Sequence, residues 1–230
     1  YENAPEKLER LKALGFNTVW VYSTAPWMGS IPRTLAFLDL LYKHGVSAIL
    51  QPNLLNIEKG GDDPGYLESA AWVSAVQGHL AVVGFATWDE PVGQMVSPAR
   101  QQAVYNNLRA LTNKNVMCVD ATHTTEELDS HLHSSAYDVQ LVDIYPTQYP
   151  NEDLFKRYFV RSMFNLMSYD GGEDWENKRF GRHIIPILPL FSGEGFLEPT
   201  HWQARWMVDC WRPFTSGGSF GIFAHDISAS

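Results

Sequence analysis

The chain has 230 residues, 45% of them hydrophobic and 19% charged, which is enough apolar matter for a sizeable core and excludes wholesale disorder. Its 17 basic and 26 acidic residues leave a formal charge of -9 with no basic stripe, which argues against a nucleic-acid partner. No apolar run approaches the roughly 20 residues of a membrane span, and the two cysteines, Cys118 and Cys210, make no disulfide framework and read as thiols on a strand and a helix.

Taken in chain order, the pattern predicts a helix over 4–16, with Leu8, Leu11 and Leu14 at helical spacing and Gly15 as its stop, then a β-branched and aromatic strand over 17–23. The pair repeats. A helix over 31–45 closed by Gly45 leads to a strand over 46–53, and a helix over 66–79 leads to a strand over 80–91. Helices over 97–112, 125–135, 152–168 and 200–218 then lead to strands over 115–122, 139–146, 183–191 and 219–227.

Seven strands, each preceded by a helix and with no linker-like break, imply parallel strands joined by right-handed crossovers. A single α/β domain over 1–230, a (β/α)8 TIM barrel, fits best. In that frame the first strand and the last helix are missing, so the expectation is a piece of a longer polypeptide or a strand supplied elsewhere. An open doubly wound sheet is the other arrangement, but no Gly-x-Gly-x-x-Gly fingerprint follows any strand.

Chemistry in such barrels gathers at the C-terminal ends of the strands. Those ends are polar here: Ser23; Gln51 and Asn53; Asp89 and Glu90; Asp120; Asp143 with Tyr145; Glu194; His225 with Asp226. Aromatic residues stand near the same ends, among them Trp20, Tyr22, Trp27, Trp88, Tyr145 and Tyr149, and their flat faces suit the C–H faces of sugars. Strand alternation separates the two acids of "TWDEP". Glu90 shares parity with the small residues Gly84 and Ala86 and with Trp88, which suit a crowded interior; Asp89 shares it with Val83 and Phe85, which suit the helix-facing side. Glu90 is therefore expected to point into the mouth and Asp89 toward the rim.

Asp89-Glu90-Pro91 resembles the fourth-strand end of the retaining (β/α)8 glycoside hydrolases, whose pattern is Asn-Glu-Pro with the Glu as general acid/base; barrels of this kind with Asp-Glu-Pro at the same place are closer still. The resemblance covers the strand order across nearly the whole chain, but its motif is three residues. It implies Glu90 as acid/base and a nucleophilic carboxylate at the seventh strand end, where Glu194 stands, with Glu198 as a nearby rival. Asp89 takes the place of the Asn that contacts the sugar 2-hydroxyl in the family pattern. Carboxyls about 5–5.5 Å apart would retain configuration, and about 6.5–9.5 Å would invert it, with Asp143 then available as base.

Each of these residues also has a plain structural reading: Glu90 as a paired rim carboxylate, Glu194 as a solvated loop acid, Asp120, Asp143 and Asp226 as helix caps, and Trp88 and Tyr145 as packing. Other chemistries find less support. His131-x-His133 lies in a helix-like segment, where residues two apart do not share a face. "LMSYDGG" is similar to a stretch of the chitinase-like barrels, but their Asp-x-x-Asp-x-Asp-x-Glu strand is absent. No nucleophile elbow or phosphate loop occurs.

The expectation is a glycosidase acting on a polysaccharide or oligosaccharide, with Glu90 and Glu194 catalytic. Asp89, Trp88, Asp143, Tyr145, Trp20, Tyr22, Gln51, Asn53 and Asp226 are expected to bind the substrate. No cofactor or metal is required, the partner is the carbohydrate itself, and the substrate class suggests an extracellular or cell-envelope location. Nothing in the sequence sets an oligomeric state. The rival expectation is a non-catalytic barrel that binds glycan or builds a surface assembly.

Overall fold

Proline and small polar residues start the helices of this chain, and β-branched and aromatic runs make its strands. The computed structural model describes residues 4–13, 16–121, 136–143, 151–168, 183–189, 200–211 and 221–223. In chain order they form α1 (Ala4–Ala13), β1 (Thr18–Val21), α2 (Ile31–Lys43), β2 (Ser47–Leu50), α3 (Leu54–Lys59), α4 (Pro64–Val76), β3 (Val82–Asp89) and α5 (Pro98–Leu111). There follow β4 (Asn115–Ala121), β5 (Val139–Asp143), α6 (Glu152–Ser168), β6 (His183–Pro189), α7 (His201–Trp211) and β7 (Gly221–Phe223). The seven strands pair in chain order in one sheet, which is the order of a barrel and not of a doubly wound sheet. The expected helix over 125–135 lies outside the described residues.

The chain divides into two compact units, 1–88 with 99–117, and 89–98 with 118–230. In the first, β1 runs parallel to β2 from Thr18↔Ser47 to Val21↔Leu50, and β2 parallel to β3 with a register shift between Ala48 and Ile49. Leu38 and Leu41 of α2, Val73 and Val76 of α4, and Val104 and Leu108 of α5 are all fully buried. Each such side chain contributes roughly 1.5–3 kcal/mol of burial.

Strand β3 shows the alternation directly. Phe85 meets the ring of Trp72 on α4 edge to face at 6.4 Å, and the Trp72 indole N–H donates to Thr34 Oγ1 on α2 at 3.1 Å, so this parity faces the helices. Gly84 has the other parity. A Cβ there would stand 2.6 Å from Met117 Cε and 2.8 Å from the Asn115 carbonyl oxygen, so only glycine allows β4 this close. Val83, expected under the helices with Phe85, instead stays 38% exposed at the start of the strand, next to the exposed turn residue Leu80.

Helix α3 was not expected, because six residues are too few to show a period. Its ends explain it: Asn53 Oδ1 accepts the Asn56 N–H at 3.3 Å, Gly60 leaves the helix at φ 65°, and Asn107 on α5 donates to the Ile57 carbonyl at 2.7 Å.

In the second unit β5 runs parallel to β6 from Val139↔His183 to Asp143↔Ile187, and β6 parallel to β7 from Ile187↔Gly221 to Pro189↔Phe223. Asn151 caps α6 by accepting the Asp153 and Leu154 N–H groups. Thr200 and Gln203 cap α7 reciprocally: the Gln203 N–H donates to Thr200 Oγ1 at 3.2 Å, and the Thr200 N–H to Gln203 Oε1 at 2.8 Å. Phe155 and Phe159 of α6 pack on Trp206 of α7 at 5.8 and 5.4 Å between ring centres.

Candidate active site

The C-terminal strand ends of the first unit carry the aromatic and amide residues. Trp20 and Tyr22 stack at 5.7 Å and 29°. The Trp20 indole nitrogen is buried with no hydrogen-bond partner among the described residues. Gln51 is buried just past β2, and its amide donates to the Thr87 carbonyl at 2.8 Å while Thr87 Oγ1 donates to the Met117 carbonyl at 3.0 Å. These bonds tie the end of β2 to β3 near its end, and β3 to the middle of β4. Asn53 is exposed and caps α3.

Trp88 ends the first unit's share of β3. Only 8% of it is exposed, and the Arg100 guanidinium lies 5.3 Å from its ring centre. Arg100 is held in turn by a fork onto Glu58 of α3, Nε to Oε1 and Nη2 to Oε2, both at 2.7 Å. Those hydrogen bonds hold the Glu58 carboxyl below the usual carboxylate range. The exposed ring face expected of a sugar platform is therefore largely taken up by packing.

The two acids of Asp89-Glu90-Pro91 belong to the second unit. Both are half-buried. Glu90 sits one residue past the end of β3 in the left-handed region, φ 50°, an uncommon place for a non-glycine residue and one that is found disproportionately at functional sites. Its N–H donates to the Val119 carbonyl on β4 at 3.0 Å. Burial, and then the charge of Asp89, push the Glu90 carboxyl above the usual range, so it keeps its proton at a higher pH than a free glutamate. Asp143 ends β5 with 2% of its surface exposed.

Glu194, Tyr145 and Asp226 lie outside the described residues, as do Glu198, His225, Tyr149 and the His131-x-His133 pair, and so do the side chains of Trp27 and Asp120. Among the described residues no group of three His, Cys, Asp or Glu side chains could hold a metal ion, and no helix is long and apolar enough to cross a membrane. Three contributors escaped the sequence reading. Arg100, Glu58 and Gln94 act through partners 42, 42 and 5 residues away in contacts that no short motif encodes.

No model of a known protein family matches this chain, and no curated protein sequence does. Solved structures do match its fold. The beta-glucuronidase of Ruminococcus gnavus superposes over 98% of this chain with a TM-score of 0.61 at 11% identity, and the match takes in 40% of that protein. An endo-1,4-beta-mannanase from Eisenia fetida matches 100% of the chain at 14% identity and a TM-score of 0.54, over 79% of its own length. A beta-galactosidase from the psychrophilic Marinomonas ef1 matches 97% at 13% identity and 0.53, over 52% of its length. The chain thus has the α/β fold of TIM-barrel glycoside hydrolases, and it spans about two fifths of the beta-glucuronidase.

Proposed function

We propose that this chain carries the catalytic barrel of a glycoside hydrolase, with Glu90 as the general acid/base. The observation that carries the reading is Glu90 itself. It is a half-buried carboxyl at a C-terminal strand end, in a strained backbone conformation, on a fold shared with three kinds of glycosidase. A general acid must reach the glycosidic oxygen still holding its proton near neutral pH, and burial beside Asp89 favours that protonated form.

In this mechanism the protonated Glu90 carboxyl gives its proton to the leaving-group oxygen as the C–O bond breaks, and the sugar passes through an oxocarbenium-like transition state. Glu194 is the proposed nucleophile, attacking the anomeric carbon to form a glycosyl-enzyme. Glu90, now ionised, then takes a proton from a water that attacks the anomeric carbon, the bond to Glu194 breaks, and the sugar leaves with Glu90 protonated again. Asp89 and Asp143 are proposed as polar contacts to sugar hydroxyls, and the stacked Trp20 and Tyr22 as an aromatic face for a sugar. The substrate would be an oligosaccharide or polysaccharide, which suits a protein outside the cell.

The test is hydrolysis of a panel of polysaccharides and of aryl β-glucosides, β-galactosides, β-mannosides and β-glucuronides by the full chain, with Glu90→Gln and Glu194→Gln alongside. Glu90→Gln is expected to lower the rate on the order of 100- to 10,000-fold and to remove the alkaline limb of the pH profile. Glycan binding without cleavage in wild type, unaltered in both variants, would replace the enzyme with a binding barrel.

A further inference from the structure

After Glu90 the chain folds back on the strand that delivers it. The carbonyl of Glu90 accepts the Gln94 N–H at 3.0 Å, and the side-chain amide of Gln94 donates to the carbonyl of Asp89. Two further bonds close the same turn, Val96 N–H to the Pro91 carbonyl at 2.8 Å and Met95 N–H to the Val92 carbonyl at 3.0 Å. Val92 and Val96 are buried under it, while Gln94 is exposed.

The arrangement has a specific geometric effect. The Asp89 carbonyl lies in the peptide plane before the Glu90 Cα, and the Glu90 carbonyl in the plane after it. Their relative rotation is the φ, ψ pair of Glu90, and that pair sets where its Cβ points. Gln94 grips both planes, and Val119 grips the N–H of the first. A left-handed glutamate relaxes toward the ordinary regions unless its surroundings hold it, so these bonds aim the carboxyl.

We propose that Gln94 is the positioning residue of the Glu90 carboxyl, fixing the left-handed backbone that presents it to the leaving-group oxygen. This rests on the acid/base reading of Glu90. Gln94→Met keeps the length of the side chain and removes its donor, and because the position is exposed the variant should melt close to wild type.

The experiment compares the full chain with Gln94→Met and Glu90→Gln on phenyl and 2,4-dinitrophenyl glycosides of whichever sugar the panel selects. It also follows the Glu90 carboxyl by NMR titration of carbon-13-labelled glutamate. Phenoxide needs a proton to leave and dinitrophenoxide does not, so a misaimed acid slows only the first in glycosylation, the step that kcat/KM reports; deglycosylation, where Glu90 is the base, is common to both. Gln94→Met is expected to lower kcat/KM on the phenyl glycoside by about 10- to 100-fold and on the dinitrophenyl glycoside by less than about 2-fold, and to move the Glu90 titration down toward the ordinary glutamate range.

Equal losses on both substrates, or none on either with an unmoved titration, would overturn the positioning role. If Glu90→Gln spares both substrates, it is the acid/base reading that fails. If Glu90→Gln shows the leaving-group split and Gln94→Met does not, only the positioning inference fails. Should no glycoside be cleaved, the titration alone decides whether Gln94 holds the carboxyl.

Discussion

Between Val82 and Thr87, strand β3 is a packing surface. Gly84 makes room for Met117, Phe85 meets Trp72, Thr87 is bonded on both sides, and only Val83 reaches solvent. Between Asp89 and Val96 the same chain carries two adjacent carboxylates and two left-handed non-glycine residues, Glu90 and Met95, on a turn that buries Pro91, Val92 and Val96 and leaves Gly93, Gln94 and Met95 exposed. The first stretch obeys the rules that make a fold stable, and the second breaks several of them. Local rule-breaking beside consistent packing is what a site held against its own stability looks like.

The contrast can be broken most severely at Gly84. A Cβ at this position would meet the Asn115 carbonyl, a backbone atom that cannot swing aside as Met117 can. Gly84→Ala should therefore destabilise the chain by about 1–3 kcal/mol, the range of overpacked cores, read from the midpoint of urea unfolding. A neutral Gly84→Ala would mean that β3 and β4 do not approach as closely as described.

How much of this the sequence showed depends on the range of the interaction. Period-2 alternation identified the helix-facing side of β3 at Phe85 and the crowded side at Gly84 because both facts are local to the strand. The pattern extends two strands too far, to 53 and to 91, where the structure ends them at Leu50 and Asp89. Asn53 and Glu90 leave the ladder for reasons outside the alternation, a cap on α3 and a left-handed turn. Trp88 shared the inward parity, but its cover comes from Arg100, fixed by Glu58 on a helix too short to show a period. The polar character of the strand ends was legible; which of those groups packs and which faces outward was not, since that is settled by partners 36 to 42 residues away.

Arg100 sharpens the comparison at the boundary between the two stretches, since it steadies the last packed residue before the acids. Arg100→Ala removes the cation over Trp88 and leaves Glu58 without the fork. The half-exposed setting of the pair limits the loss to about 1 kcal/mol, expected as a small fall in the urea midpoint together with a change in Trp88 fluorescence. A fluorescence spectrum identical to wild type would show that Trp88 is held by its other neighbours.

The smallest expected effect has the most informative sign. Burial and Asp89 hold the Glu90 carboxyl above the range of a free glutamate, so the folded chain binds this proton more tightly than the unfolded chain does. Its contribution to stability is then fully present below the unfolded pKa and is lost as pH rises through the folded one. Glu90→Gln carries no such charge. It should melt no higher than wild type near pH 3.5 and about 1–2 °C higher at pH 7, a gain in stability at the position where activity is expected to fall most. A variant that instead melts lower at pH 7 than at pH 3.5, relative to wild type, would show the Glu90 carboxylate to be favourably paired in the fold, and the strained turn would then be serving structure and not chemistry.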